Sequence, residues 1–200
     1  MVELPELLVP DRAAWRAWLD ENASTAVGVW LVLHKKGGTV TALTYVDAVE
    51  EALCFGWIDG QARSRDAEAS FQRMTPRRSR SAWSAINVER AERLEREGAM
   101  TDAGRAQVQA AKADGRWERA YAGPATIEVP ADLTDALAAS PVAQAWFDVL
   151  TSGNRFAILY RIHGAKRPET RARWIATFVE QLSQGVTPYP QKRRPDGAGT

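Results

Sequence analysis

The sequence predicts an α+β fold, a small mixed sheet with packed helices, followed by an all-helical C-terminal domain. Three observations carry this reading. Residues 27–35 (VGVWLVLHK) are β-branched and aromatic with no polar break before His34, the signature of a central strand. Two shorter strand-like runs, 61–65 and 69–75, flank the turn-forming residues 66–68. Beyond residue 130 strand signals stop, and apolar residues recur at helical spacing.

The elements follow in order. Asp11, just after Pro10, is a good helix N-cap, and Ala14, Trp15, Trp18 and Leu19 fall on one core-facing side. The strand at 27–35 turns at Lys36, Gly37 and Gly38. Thr44 caps a second helix with Asp47 at its third position, where a carboxylate helps satisfy the first-turn amides, and Gly56 stops it. After the two hairpin strands, Pro76 marks the exit. Ser81 is read as the cap of a helix reaching Glu97, with Gly98 as its stop; Thr101 opens another that ends at Gly115. Further helices are expected at 131–139, at 141–151 with Pro141 in the first turn, at 155–163 and at 168–184. The expected organisation is an α+β domain at 1–125, a helical domain at 126–185, and a disordered tail at 186–200 containing Lys192, Arg193 and Arg194.

With 200 residues, 45% of them hydrophobic, the chain can fill a core. A net charge of +1 provides no global field towards nucleic acid or an anionic membrane. No apolar run reaches the length of a spanning helix, and the first residues lack the basic flank and apolar centre of a secretory signal, so a cytoplasmic protein without a membrane partner is expected. A single cysteine rules out an internal disulfide and thiolate zinc sites. Cys54 lies at a helix C-terminus near Glu50 and Glu51, which disfavours a thiolate. His34 and His163 lack metal-ligand spacing and read as structural, so no metal is expected. Walker, dinucleotide, zincin and nucleophile-elbow motifs are missing, and no cofactor is expected.

One segment stands out. From Arg63 to Arg80 there are arginines at 63, 65, 73, 77, 78 and 80 against Asp66 and Glu68 alone. Arg63 and Arg65, two apart on a strand, share a face of the sheet. Arg77, Arg78 and Arg80 fall in a loop just ahead of a helix N-terminus, where free amides also favour anions. Trp57 and Trp83 bracket the segment. These seven residues form the candidate site for a phosphate, a carboxylate or a nucleic-acid backbone. The competing reading has the arginines solvated or paired with Asp47, Glu50 and Glu51. Asp59, in an expected turn beside the arginines, is the candidate acid or base should there be catalysis, against an ordinary turn aspartate. In the helix that follows, Trp83, Ile86, Asn87, Arg90, Ala91 and Leu94 share an inward face, so Asn87 and Arg90 need hydrogen-bond partners.

Several motifs occur in a characteristic order: Leu43-Thr44-Tyr45, CFGWIDG at 54–60, TPRRSRSAWSAIN at 75–87, Met100, Ala111-Lys112, Gly115-Arg116-Trp117, Ala120-Tyr121, Val129 to Leu133, and Glu169-Thr170-Arg171. Over residues 10–185 the chain resembles the bacterial YdeI/OmpD-associated family, often labelled bacteriocin-protection proteins. The resemblance implies a small α+β domain followed by a helical one, and a role in protection. It carries over no catalytic residues. The chain departs from the pattern at Ala99 and Trp174, where basic residues are expected. The expected function is therefore non-enzymatic ligand binding or protection, through an arginine-rich cleft between the domains that takes an anionic or aromatic small molecule or peptide. The alternatives are an enzyme acting on a phosphate- or carboxylate-bearing small molecule, and a nucleic-acid-binding protein.

Overall fold

A computed structural model describes residues 3–123 and 126–196. The chain divides into two units, Met1–Ala120 and Tyr121–Thr200. The first contains β1 (Glu6–Leu7), α1 (Arg12–Asn22), β2 (Val29–His34), α2 (Tyr45–Cys54), β3 (Trp57–Ser64), β4 (Ala69–Pro76), α3 (Ala85–Arg96) and α4 (Asp102–Ala113). The second holds α5 (Ala131–Ala138), α6 (Pro141–Asp148), α7 (Ser152–His163) and α8 (Pro168–Ser183). The α+β class and the helical C-terminal part are as the sequence predicts.

The sheet order is β1-β2-β4-β3, with β1 parallel to β2 and the other pairs antiparallel. Alternation sends Val29, Leu31 and Leu33 to the helical side, where they join Met74, Trp15, Leu19 and Leu53 in the core. Trp30 and Phe71 fall on the opposite side. The caps at Asp11, Thr44 and Thr101 form as expected, each side chain accepting an amide of the first turn. In the second unit α6 ends at Asp148 and Thr151 caps α7, which starts three residues earlier than expected. Three details of the first unit differ. β1 carries too short a pattern to read from sequence. β3 begins at Trp57, because Gly56, at φ +75°, turns α2 directly into the strand. α3 is capped by Ser84 and not Ser81, so it starts three residues later than expected; Ser81 Oγ instead accepts the Arg78 amide at 2.9 Å.

Helices α1, α2 and α3 meet through a layer of charge. Glu51, 3% exposed, receives Arg12 Nε and Arg16 Nη1, both at 2.6 Å. Arg12 also reaches Asp47 at 2.9 Å, and Arg93 pairs with the buried Glu50. The Asp47 carboxyl is held below its usual range by hydrogen bonding from Thr44, aided by Arg12. The α2 carboxylates are thus neutralised by α1 and α3, not by the arginines of the 63–80 segment.

Helix α4 docks on the end of α2. Thr101 donates its hydroxyl to Cys54 O at 2.6 Å and its amide to the same carbonyl at 3.1 Å. Gly104 makes this approach possible: a Cβ there would lie 2.8 Å from both the Cys54 carbonyl carbon and Met100 Cε. Gly104→Ala should therefore destabilise by about 1–3 kcal/mol, even though alanine favours helix by about 1 kcal/mol. Urea unfolding checks this, and a midpoint at or above wild type would refute the tight contact.

In the second unit, Leu133, Phe147, Ile158, Ile162, Phe178 and Leu182 are core residues. Arg171 clasps Asp132 with Nε at 2.6 Å and Nη2 at 2.9 Å while donating Nη1 to Ile162 O, and this holds the Asp132 carboxyl below the usual range. The segment from Val186 is not the disordered tail expected. Buried Asn154 accepts the Tyr189 amide at 2.7 Å and donates to Tyr189 O and Gln191 Oε1, so the chain is tied back onto α7. The last four residues of the expected tail lie outside the described residues.

Candidate functional site

The structure separates the seven residues of the expected site. Trp57 is 1% exposed, donates its indole N–H to Ala23 O at 3.1 Å, and packs edge-on against Trp15 and Trp18. It is a core anchor, and its ring does not face a cleft. Arg63 and Arg65 do share a face of the sheet, the outer one: Arg63 lies over Trp30 and Phe71, and Arg65 over Phe71. In the loop after β4, Arg78 and Arg80 are exposed, while Arg77 is buried at 5% with its guanidinium 3.7 Å from the Trp83 ring centroid. Trp83 itself is 2% exposed. Burial turns Arg77 and Trp83 inward because the late start of α3 leaves the loop packed under the chain that follows α4.

That packing defines a site the sequence reading did not select. Gly115, at φ +73°, reverses the chain after α4, and the Trp117 amide returns to Ala111 O at 3.1 Å. Trp117 thereby lies against Trp83, ring centroids 4.9 Å apart. The Lys112 ammonium stands 5.0 Å from the centroid of the Trp117 ring. The result is a ladder of cation, ring, ring and cation: Arg77, Trp83, Trp117, Lys112. Arg116 pins it by donating to Ser81 O at 2.9 Å while pairing with Asp114 at 2.8 Å.

The upper half of this ladder closes one end of a cleft of about 320 Å³ between α3 and α4. Ala91, Met100, Val108 and Trp117 give it an apolar floor. Its rim is charged. Arg105 is neutralised by Glu95 and Asp102, both within 3.0 Å. Arg96 and Lys112 carry no ion pair among the described residues, and neither does Glu92. The cleft therefore offers an aromatic wall, with Arg96 and Lys112 set against Glu92 as rim charges outside any ion pair, at the lower end of the size range of small-molecule sites. The signal for it lay in residues already noted for another reason, since Met100, Lys112 and Trp117 all belong to the motifs of the family resemblance.

Other candidates resolve into structure. Asp59 stands on β3 and not in a turn, and accepts the Tyr45 hydroxyl at 2.7 Å. Cys54 is fully buried, and burial pushes its thiol up from the usual range, aided by Glu51. His34 and His163 each bond a backbone carbonyl, Thr41 O and Glu128 O. Asn87 is buried and accepts Arg90 Nη1 at 3.1 Å, whereas Ile86 turns out to be exposed. Among the described residues no group of three or more His, Cys, Asp or Glu is arranged to hold a metal ion, and no helix is long and apolar enough to cross a membrane.

Two family models match the chain. Residues 7–107 match one described as Domain of unknown function (DUF8412), and residues 126–185 match one described as Bacteriocin-protection, YdeI or OmpD-Associated. The resemblance read from sequence is thus carried by the second unit; most of the motifs quoted from the first fall within the other match. No curated protein and no solved structure matches the chain.

Proposed function

Since the chain belongs, through residues 7–107, to the domain family of unknown function DUF8412, with residues 126–185 matched to the bacteriocin-protection family, we propose that it is a non-enzymatic binding protein that protects by sequestering its ligand. The ligand is a small molecule or peptide end that combines a flat apolar body with an anionic group, and it binds between α3 and α4. The observation that supports this most directly is the juxtaposition of the Trp117 wall with Arg96 and Lys112, which form no ion pair among the described residues. An aromatic body fills the apolar floor. Its carboxylate or phosphate exchanges water for the rim cations, which gains most where the pair is partly desolvated. The arginine-rich loop takes part indirectly, with Arg77 and Trp83 as the support on which Trp117 rests.

N-acetyl-tryptophan and its neutral amide are suitable probes. The acid should raise the melting temperature and bind measurably by calorimetry, and the amide should bind several-fold more weakly. Trp117→Ala should weaken binding of the acid about tenfold or more, Lys112→Met should reduce the difference between acid and amide, and Lys112→Met with Arg96→Met should erase it. Equal binding of both probes to the unaltered protein, or full binding by Trp117→Ala, would overturn the assignment.

A further inference from the structure

The outer face of the sheet is a second surface with its own chemistry, separate from the α3–α4 cleft. Trp30 on β2 and Phe71 on β4 stand side by side, ring centroids 6.1 Å apart. Arg63, the cross-strand partner of Phe71, lays its guanidinium over both rings, 4.1 Å from Trp30 and 4.8 Å from Phe71. Arg73, the cross-strand partner of Trp30, is two residues from Phe71 and so on the same face, about 7 Å along the strand. Arg65 completes the set over Phe71 at 5.9 Å.

The charges on this face are unequally committed. Arg65 is neutralised by Glu6 at 2.8 Å and Asp66 at 2.7 Å. Arg63 and Arg73 have no ion pair among the described residues, and the Arg73 Nε–H is buried without an acceptor. Arg63 is exposed, so its planar guanidinium, which lies over the two rings, is also open to solvent. Such a plane accepts a nucleobase in parallel stacking, while its edge donors and Arg73 reach phosphates on either side. The adjacent strands β2, β4 and β3 contribute to one face, as in sheet-based proteins that lay out unpaired bases.

We propose that this face binds single-stranded nucleic acid, with one base stacked on Arg63 and the backbone following Arg73. Charge alone also suits an acidic peptide or a duplex. The layered rings and guanidinium decide between them, because an unpaired base has a broad aromatic face to stack and a carboxylate group does not, while a duplex keeps its bases stacked inside.

Fluorescence anisotropy of a labelled oligothymidylate, with the full chain at low and moderate salt, tests this. Binding should be measurable at low salt and weaken as salt rises. Arg63→Ala should weaken it about tenfold or more, and Arg63→Lys, which keeps the charge but loses the plane, nearly as much. Arg73→Ala should weaken it and reduce the salt dependence. Arg80→Ala, which removes an exposed arginine outside the sheet, should change little. Arg63 is exposed, so its variants are expected to melt with the unaltered protein, which keeps the comparison clean. The proposal is overturned by lack of binding at low salt, by duplex or polyglutamate binding as tight as the single strand, by full affinity in Arg63→Lys, or by an equal loss in Arg80→Ala.

Discussion

Replacing Arg12 and Arg16 together by alanine should lower the unfolding free energy by about 3–5 kcal/mol, because it leaves the Glu51 carboxylate buried with no cation. Each arginine alone is a smaller loss, since the other still reaches the same carboxylate. The arginine side chains are 43% and 39% exposed while that of Glu51 is 4% exposed, so the cost falls unevenly. Removing Glu51 leaves Arg12 on Asp47 and frees Arg16 to turn to water; removing the arginines strands a charge that cannot. The lower end of the range is favoured because water reaches the cluster through the arginine side. Against a total stability of about 5–15 kcal/mol the loss is a large fraction. Adding Glu51→Met to the double variant should restore most of it, an apolar side chain of similar length being tolerated where an unpaired carboxylate is not. Denaturant unfolding of the single, double and triple variants checks the cycle, and a triple variant no more stable than the double would falsify the account.

That cluster also shows where the sequence could and could not be read. Asp47, Glu50 and Glu51 were identifiable as carboxylates on the second helix, and the need to neutralise them was identifiable too. Their partners were not, because Arg12 and Arg93 come from helices that meet α2 only in the tertiary structure. Local signals did better. Asp11, Thr44 and Thr101 capped their helices because each has a hydroxyl or carboxylate just before an apolar repeat, and the interaction closes within three residues. Where two serines stood three apart, at Ser81 and Ser84, that rule could not choose. Arg116 and the Arg78 amide occupy Ser81, and the helix begins at the second.

The candidate sites were half legible for the same reason. Period-two spacing correctly put Arg63 and Arg65 on one face, but that the face also holds Trp30 and Phe71 depends on the β2–β4 register, which no local pattern fixes. Trp57 and Trp83 flank the arginines in sequence, yet proximity in sequence says nothing of direction, and both point into the core. Trp117 lies two residues past a glycine that reverses the chain, so its return over α4 is a property of that turn and not of helical periodicity.

Trp83 connects the arginine loop to the α3–α4 cleft, and its variants separate packing from polarity. Trp83→Ala should cost about 3–5 kcal/mol, the usual loss for deleting a large buried ring, and should also weaken N-acetyl-tryptophan binding because Trp117 loses the surface it rests on. Trp83→Phe is expected to behave differently. It retains an aromatic face for Arg77 and Trp117, and it removes the indole N–H, which is buried without an acceptor among the described residues. An unsatisfied buried donor costs about 1–3 kcal/mol, so its removal offsets much of the packing lost with the smaller ring, and the variant should stay within about 1.5 kcal/mol of wild type. Melting and calorimetry on the two variants read both effects. A phenylalanine variant as unstable as the alanine one would mean that the indole nitrogen has an acceptor such as an ordered water, and that Trp83 is held by that bond rather than by its contacts with Arg77 and Trp117. A stable phenylalanine variant that keeps the ligand would tie the arginine loop to the cleft through ring contact alone.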